Sequence, residues 1–174
     1  MMADRSSPYR PPILSIVGRS NSGKTTLIEK LIPELRRRGY RIGTIKHTHH
    51  AVDLDRSGKD SARHRAAGAE AVMLTGRGHM FLVKAVASES LSALAGYFDG
   101  IDLLITEGFK REKQLKIEVV RAALGTEMLC REDPSLIAVA TDAVLEVRVP
   151  VFRLDDPAAI ADFIEKRLLA ATAI

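Results

Sequence analysis

The sequence has no tryptophan, a single cysteine and only 5% aromatic residues in 174 positions. With no second thiol, Cys130 cannot close an internal disulfide, which excludes a disulfide-stapled scaffold and fits a reducing compartment. Aromatics are scarce, and 26 Lys and Arg are interspersed with 22 Asp and Glu. That leaves no basic stripe of the kind a dedicated nucleic-acid binder carries. The net charge of +4 suits an anionic small ligand or an acidic partner instead. No apolar run reaches the eighteen or so residues of a membrane span. The opening "MMADRSSPYRPP" places an aspartate and prolines where a signal peptide needs its apolar stretch. The expectation is a cytoplasmic protein, with residues 1–12 a disordered lead-in and 13–174 one domain, and with neither membrane nor nucleic acid among its partners.

What the sequence does hold is alternation. "ILSIVG" (13–18), "YRIGTIKH" (40–47), "IDLLIT" (101–106) and "SLIAVAT" (135–141) are short apolar strands. Helical patterns over "TTLIEKLIPELRRRG", "KDSARHRAAG", "SESLSALAGYF" and "DDPAAIADFIEKRLLA" separate or follow them. Such alternation predicts an α/β fold whose mostly parallel sheet has helices on both faces. "AEAVMLT" and "HMFLVKAV" around "GRG" predict a hairpin. With the alternating "LKIEVVR", it is expected to add antiparallel strands at one edge.

Between the first strand and the first helix lies "GRSNSGKTT", residues 18–26. Gly18, Gly23, Lys24 and Thr25 satisfy GxxxxGK[ST], and strand, loop and helix come in the order the motif requires. Here the backbone N–H groups of Arg19, Ser20, Asn21 and Ser22 and the positive helix terminus would converge on phosphate oxygens. Lys24 would reach the β- and γ-phosphates, the Thr25 hydroxyl would ligate Mg²⁺, and Thr26 would close the cradle. "GKDS" at 58–61 imitates the motif and fails, because Asp53 stands where the first glycine belongs and Asp60 where a hydroxyl is needed. Ser57 and Asp60 read there as a capping box.

Ligands of open α/β sheets bind at the carboxyl ends of the strands. In "IDLLITEG", Asp102 and Glu107 lie roughly 16 Å apart at about 3.3 Å per strand residue, and only Glu107 is at the ligand end. It is expected at the magnesium or its water shell, as a catalytic group beside Lys24, with Asp102 in a turn or cap. "AVATDA" puts Thr141 and Asp142 just past a buried strand. A carboxylate there either accepts from guanine N1–H and its 2-amino group or is an ordinary turn aspartate. "KHTHH" (46–50) reads as a polar rim, Lys46 with His47 or His49 facing anionic groups, rather than a metal site, since no cysteine accompanies it. Asp53 and Asp55 follow, as a switch-like segment or a solvated loop. Asp156 and Pro157 mark a helix start.

The ordered strings "LIEKLIPEL", "GTIKHTHH", "DLDRSGKDS", "RAAGA", "TEGFK", "KIEVVR" and "ATD" behind the P-loop resemble the MobB family of molybdopterin-guanine dinucleotide biosynthesis adaptors over about residues 12–170. The resemblance implies a P-loop NTPase fold and GTP binding with Mg²⁺. It also implies a homodimer through added β elements and a role beside a MobA-type guanylyltransferase that attaches GMP to molybdopterin. Molybdopterin, or its guanine dinucleotide, is then a further ligand. Carried over, residues 18–26 hold phosphates, Glu107 takes the acidic strand-end position and Asp142 lies in the guanine-recognition segment. The family has Glu-Gly where ordinary GTPases have DxxG, and "ATD" for NKxD. With no water-positioning glutamine evident, it is expected to be at most a slow GTPase, with Arg19 a candidate helper across a dimer. The alternative is a P-loop kinase of a small metabolite, which would need an arginine-bearing lid that Arg63, Arg65 and Arg77 do not evidently form.

Overall fold

The computed structural model describes residues 10–48 and 60–170. In chain order the elements are β1 (Ile13–Val17), α1 (Lys24–Arg37), β2 (Ile42–Lys46), α2 (Asp60–Ala66), β3 (Ala71–Gly76), β4 (His79–Lys84) and α3 (Leu91–Leu94). They continue with β5 (Leu103–Glu107), β6 (Leu115–Val120), β7 (Leu136–Thr141), β8 (Val151–Arg153) and α4 (Pro157–Ile164). A π-helical turn, Glu165–Leu169, extends α4. The chain divides into two compact units, residues 48–94 and the remainder. Among the described residues no helix is long and apolar enough to cross a membrane.

The larger unit is a six-stranded sheet in the order β2-β5-β1-β6-β7-β8, and every pairing is parallel. Six carboxyl ends therefore share one edge. Leu27, Leu31 and Leu35 of α1 and Ile160, Ala161 and Ile164 of α4 pack with Leu14, Ile16, Ile105, Ile117 and Val119 in one buried cluster. Asp156 caps α4 by accepting from the Ala159 N–H at 3.0 Å, with Pro157 at the first helical position, as expected. On the opposite face a second cluster joins Val17, Val120, Leu136 and Val139 to Cys130, Met128, Leu145, Val147 and Val149 from non-helical segments.

The α/β, mostly parallel architecture is the one expected, with two differences. "LKIEVVR" is not an antiparallel edge strand: β6 lies between β1 and β7, parallel to both. Its alternation misleads because Lys116 and Glu118 are as buried as their apolar neighbours, each 1% exposed. Lys116 pairs with Asp133 at 2.9 Å and donates to Ser135. The Glu118 carboxylate accepts from the N–H groups of Leu129 (2.6 Å) and Cys130 (2.9 Å). Buried charges persist where they are paired and hydrogen-bonded. β8, only three residues long and directly after Pro150, is not among the expected strands.

The hairpin is the second difference, since β3 and β4 pair with each other as a separate two-stranded sheet. Their two-residue turn has positive φ at Arg77 (50°) and Gly78 (76°), the geometry that matches strand twist. Met73, Leu74 and Met80 on this hairpin are exposed.

Candidate nucleotide-binding site

The loop after β1 is built for close approach of backbone. Gly18 has φ +139°, and a Cβ there would lie 2.4 Å from the Val119 carbonyl oxygen. Gly23, at φ +97°, ends the loop at the N-cap of α1, where no side chain caps the helix. The first N–H groups of α1 thus point at the cleft without a capping partner, at the positive end of the helix dipole. Ser22 is 1% exposed and its hydroxyl has no partner.

Lys24 folds back over this loop. Its ammonium donates to the carbonyls of Arg19 (2.6 Å) and Gly18 (3.2 Å). Burial pushes its pKa below the ordinary lysine value, the Glu107 carboxylate partly offsets this, and Lys46 adds to the lowering. The Thr25 hydroxyl donates to Glu107 at 2.9 and 3.0 Å, and Lys46 stands 3.5 Å from the same carboxylate. The register of β2 against β5 places Lys46 opposite Glu107, so the pair follows from parallel pairing alone. Ser20, Asn21, Gly23, Lys24, Thr25, Thr26, Lys46 and Glu107 line one open cleft of about 460 Å³.

Arg19 turns away, forming an ion pair with Glu127 and a 3.3 Å hydrogen bond to the Leu124 carbonyl. His47 packs its ring on Phe109, centroids 5.0 Å apart, outside the cleft lining. His49, Asp53, Asp55 and Ser57 lie outside the described residues. Asp102 accepts from the Arg41 N–H (2.7 Å) and pairs with its guanidinium, a structural role at the amino end of β5.

Thr141 and Asp142 lie at a neighbouring cleft of about 350 Å³, lined also by Arg121, Ala143, Arg153, Leu154 and Asp155. Thr141 is buried and its hydroxyl accepts from the Ala143 N–H at 3.0 Å, shaping the turn. One Asp142 oxygen accepts from the Ala122 N–H (2.7 Å) and the other from Arg121 (3.1 Å). These bonds, the Ala122 N–H first, hold its carboxyl below the usual aspartate range.

Arg121 was not singled out from the sequence. The available signal was its place directly after β6, at the ligand edge between the strands that carry the loop and Asp142. A smaller cleft of Gly23, Thr26, Leu27, Lys30, Arg121, Leu154 and Asp155 shares residues with both larger ones.

A parallel sheet, a glycine-tight loop running into an uncapped helix and a Lys–Thr–Glu cluster at its mouth define a P-loop protein of the NTPase fold. The family model described as "Molybdopterin guanine dinucleotide synthesis protein B" matches residues 13–142, and the chain belongs to that family. It is 42% identical over 160 residues to the molybdopterin-guanine dinucleotide biosynthesis adapter protein of Haemophilus influenzae, covering 90% of this chain and 89% of that one. The Escherichia coli adapter protein is 39% identical, with 88% and 91% covered. Among solved structures, that of a molybdopterin-guanine biosynthesis protein B superposes with a TM-score of 0.71 at 32% identity, covering 90% of this chain and 98% of that one. Bacillus subtilis MobB gives 0.70 at 28%, with the same coverage.

Proposed function

We propose that this chain binds GTP with Mg²⁺ at the phosphate loop and acts as an adapter in the attachment of GMP to molybdopterin, beside a guanylyltransferase of the MobA type. The supporting names are those of its relatives, adapter proteins of molybdopterin-guanine dinucleotide biosynthesis. The observation that carries the reading is the convergence of Lys24, Thr25 and Glu107 beneath an uncapped helix N-terminus.

The cradle fits a polyphosphate: its glycines leave room that a Cβ would fill, and the buried Ser22 hydroxyl awaits a partner. The hard oxygen donors of Thr25 and Glu107 fit Mg²⁺, which takes few protein ligands and keeps its waters. Held by Thr25 and Glu107, such an ion would neutralise phosphate charge. Residues 18–26 hold phosphate oxygens, Lys24 supplies the cation and Asp142 reads guanine. Lys46 belongs to the anion-facing rim, with His49 rather than His47 as its second member, and Asp53 and Asp55 are assigned to a switch-like segment near the γ-phosphate. Molybdopterin or its guanine dinucleotide is a second ligand of the assembly.

Hydrolysis is slow, about 10⁻² s⁻¹ or below, as for GTPases without external help. Arg19, the candidate helper across a dimer, is engaged by Glu127 of its own chain. The chain works in the cytoplasm as a homodimer through the hairpin, where Met73, Leu74 and Met80 expose apolar surface that a second copy would cover.

Titration of GTP and ATP, each with and without Mg²⁺, tests the reading. GTP binds more tightly, and Mg²⁺ strengthens it; equal affinity for the two nucleotides would overturn the guanine assignment. Sedimentation of wild type and Met80→Lys tests the dimer. A wild type that stays monomeric at tens of micromolar rejects it.

A further inference from the structure

We propose that Arg121 is a specificity-determining residue that ties the two ends of the nucleotide together, contacting the phosphate nearest the ribose while holding Asp142 in the orientation that reads the base. The inference rests on the GTP-binding reading of the same site.

Four observations carry it. The strand order places Arg121, at the end of β6, between the loop that follows β1 and the Asp142 that follows β7. One guanidinium nitrogen lies over the loop, close enough that a Cβ on Gly23 would come within 2.8 Å of Nη2. The other, Nη1, donates to Asp142 Oδ2 at 3.1 Å, while Oδ1 is held by the Ala122 N–H. The Arg121 side chain remains 37% exposed and lines both the wider base-side cleft and the small one leading to Gly23 and Thr26.

The electrostatics point the same way. A guanidinium beside a helix N-terminus sits at the positive end of the dipole, where a cation is disfavoured unless an anion lies between. Asp142 supplies one anion on the base side. A phosphate on the loop side supplies the other, and a rigid two-pronged guanidinium can serve both at once where a lysine cannot. Each carboxylate oxygen offers two lone-pair directions. Asp142 can therefore keep Arg121 and Ala122 and still accept guanine N1–H and the 2-amino group.

The experiment compares wild type, Arg121→Ala and Arg121→Lys by calorimetric titration with GTP, ATP, GMP and guanosine, with thermal melts as the folding control. Arg121→Ala weakens GTP and GMP about tenfold or more, the loss of one charge-assisted bond. It weakens guanosine less, since guanosine lacks the phosphate, and it narrows the GTP-to-ATP preference. Arg121→Lys recovers GMP binding in part without recovering the preference. If wild type prefers GTP and a folded Arg121→Ala keeps both its affinities and its preference, the proposal is overturned. Equal loss for GMP and guanosine would also overturn it, reducing Arg121 to a support of Asp142. A wild type that binds GTP and ATP alike would overturn base reading through Asp142, yet a selective loss of GMP over guanosine in Arg121→Ala would still establish the phosphate contact.

Discussion

The two clefts at the carboxyl edge are made of different material. The phosphate cleft is mostly backbone: glycines at positive φ, helix N–H groups without a cap, and one lysine held by two carbonyls of its own loop. The base-side cleft is mostly side chain, with Arg121, Asp142, Arg153 and Asp155 lining it at or just past the carboxyl ends of β6, β7 and β8, and its key carboxylate is positioned by residues about twenty positions away in sequence. Backbone sites are fixed once their local conformation forms. Side-chain sites depend on which strands become neighbours.

The largest expected effect breaks the first half of this contrast. Lys24→Ala removes the charge without touching the core, so triphosphate affinity drops about 100-fold, as for truncation of a desolvated ionic partner. The melting temperature should stay near that of wild type, and wild-type affinity in a folded variant would sink the cradle. Next in size is Asp142→Asn, which leaves one guanine donor facing an amide that cannot accept as the carboxylate does. The preference for GTP over ATP should shrink about tenfold, with ATP affinity little changed, as competition titration would register.

Acidity separates the two clefts by sign. Lys24 must be charged, and burial sets its pKa below the ordinary lysine value. Triphosphate affinity therefore begins to fall, on raising the pH, before an exposed lysine near 10.4 would titrate. The Asp142 carboxyl is held below the ordinary aspartate value. Base preference therefore stays flat on acidification down to about pH 4. A preference already lost at pH 6 would mean that another group reads the base. The smallest effect is expected from Thr141→Val: its hydroxyl is spent on the Ala143 N–H, so the variant loses about 1 kcal/mol of stability and little nucleotide affinity.

This division also explains what could be foreseen. The phosphate loop was legible because its signal is contiguous and its strand and helix flank it directly. Glu107 was legible because ligands gather at strand carboxyl ends, and the structure brings it to Thr25. β6 was misplaced because alternation of polar and apolar residues normally marks a sheet face open to water. Here the polar positions are neutralised by Asp133, Ser135 and the N–H groups of Leu129 and Cys130, partners invisible to a window of six residues. β8 is too short to carry a pattern. Arg121 closes the string "KIEVVR" with no motif around it, and its significance arises only from the order β1-β6-β7.

The folded-back lysine has a consequence for exchange of the ligand. Its ammonium has three N–H donors, and carbonyls of its own loop hold two of them, so the side chain is aimed before a phosphate engages the third. Binding then adds a partner to a side chain whose rotamer is already fixed, so less of its entropy is left to lose. Departure, in turn, strands no unpaired cation in a half-buried place. A lysine held in this way lets an anion come and go without a rearrangement of the loop.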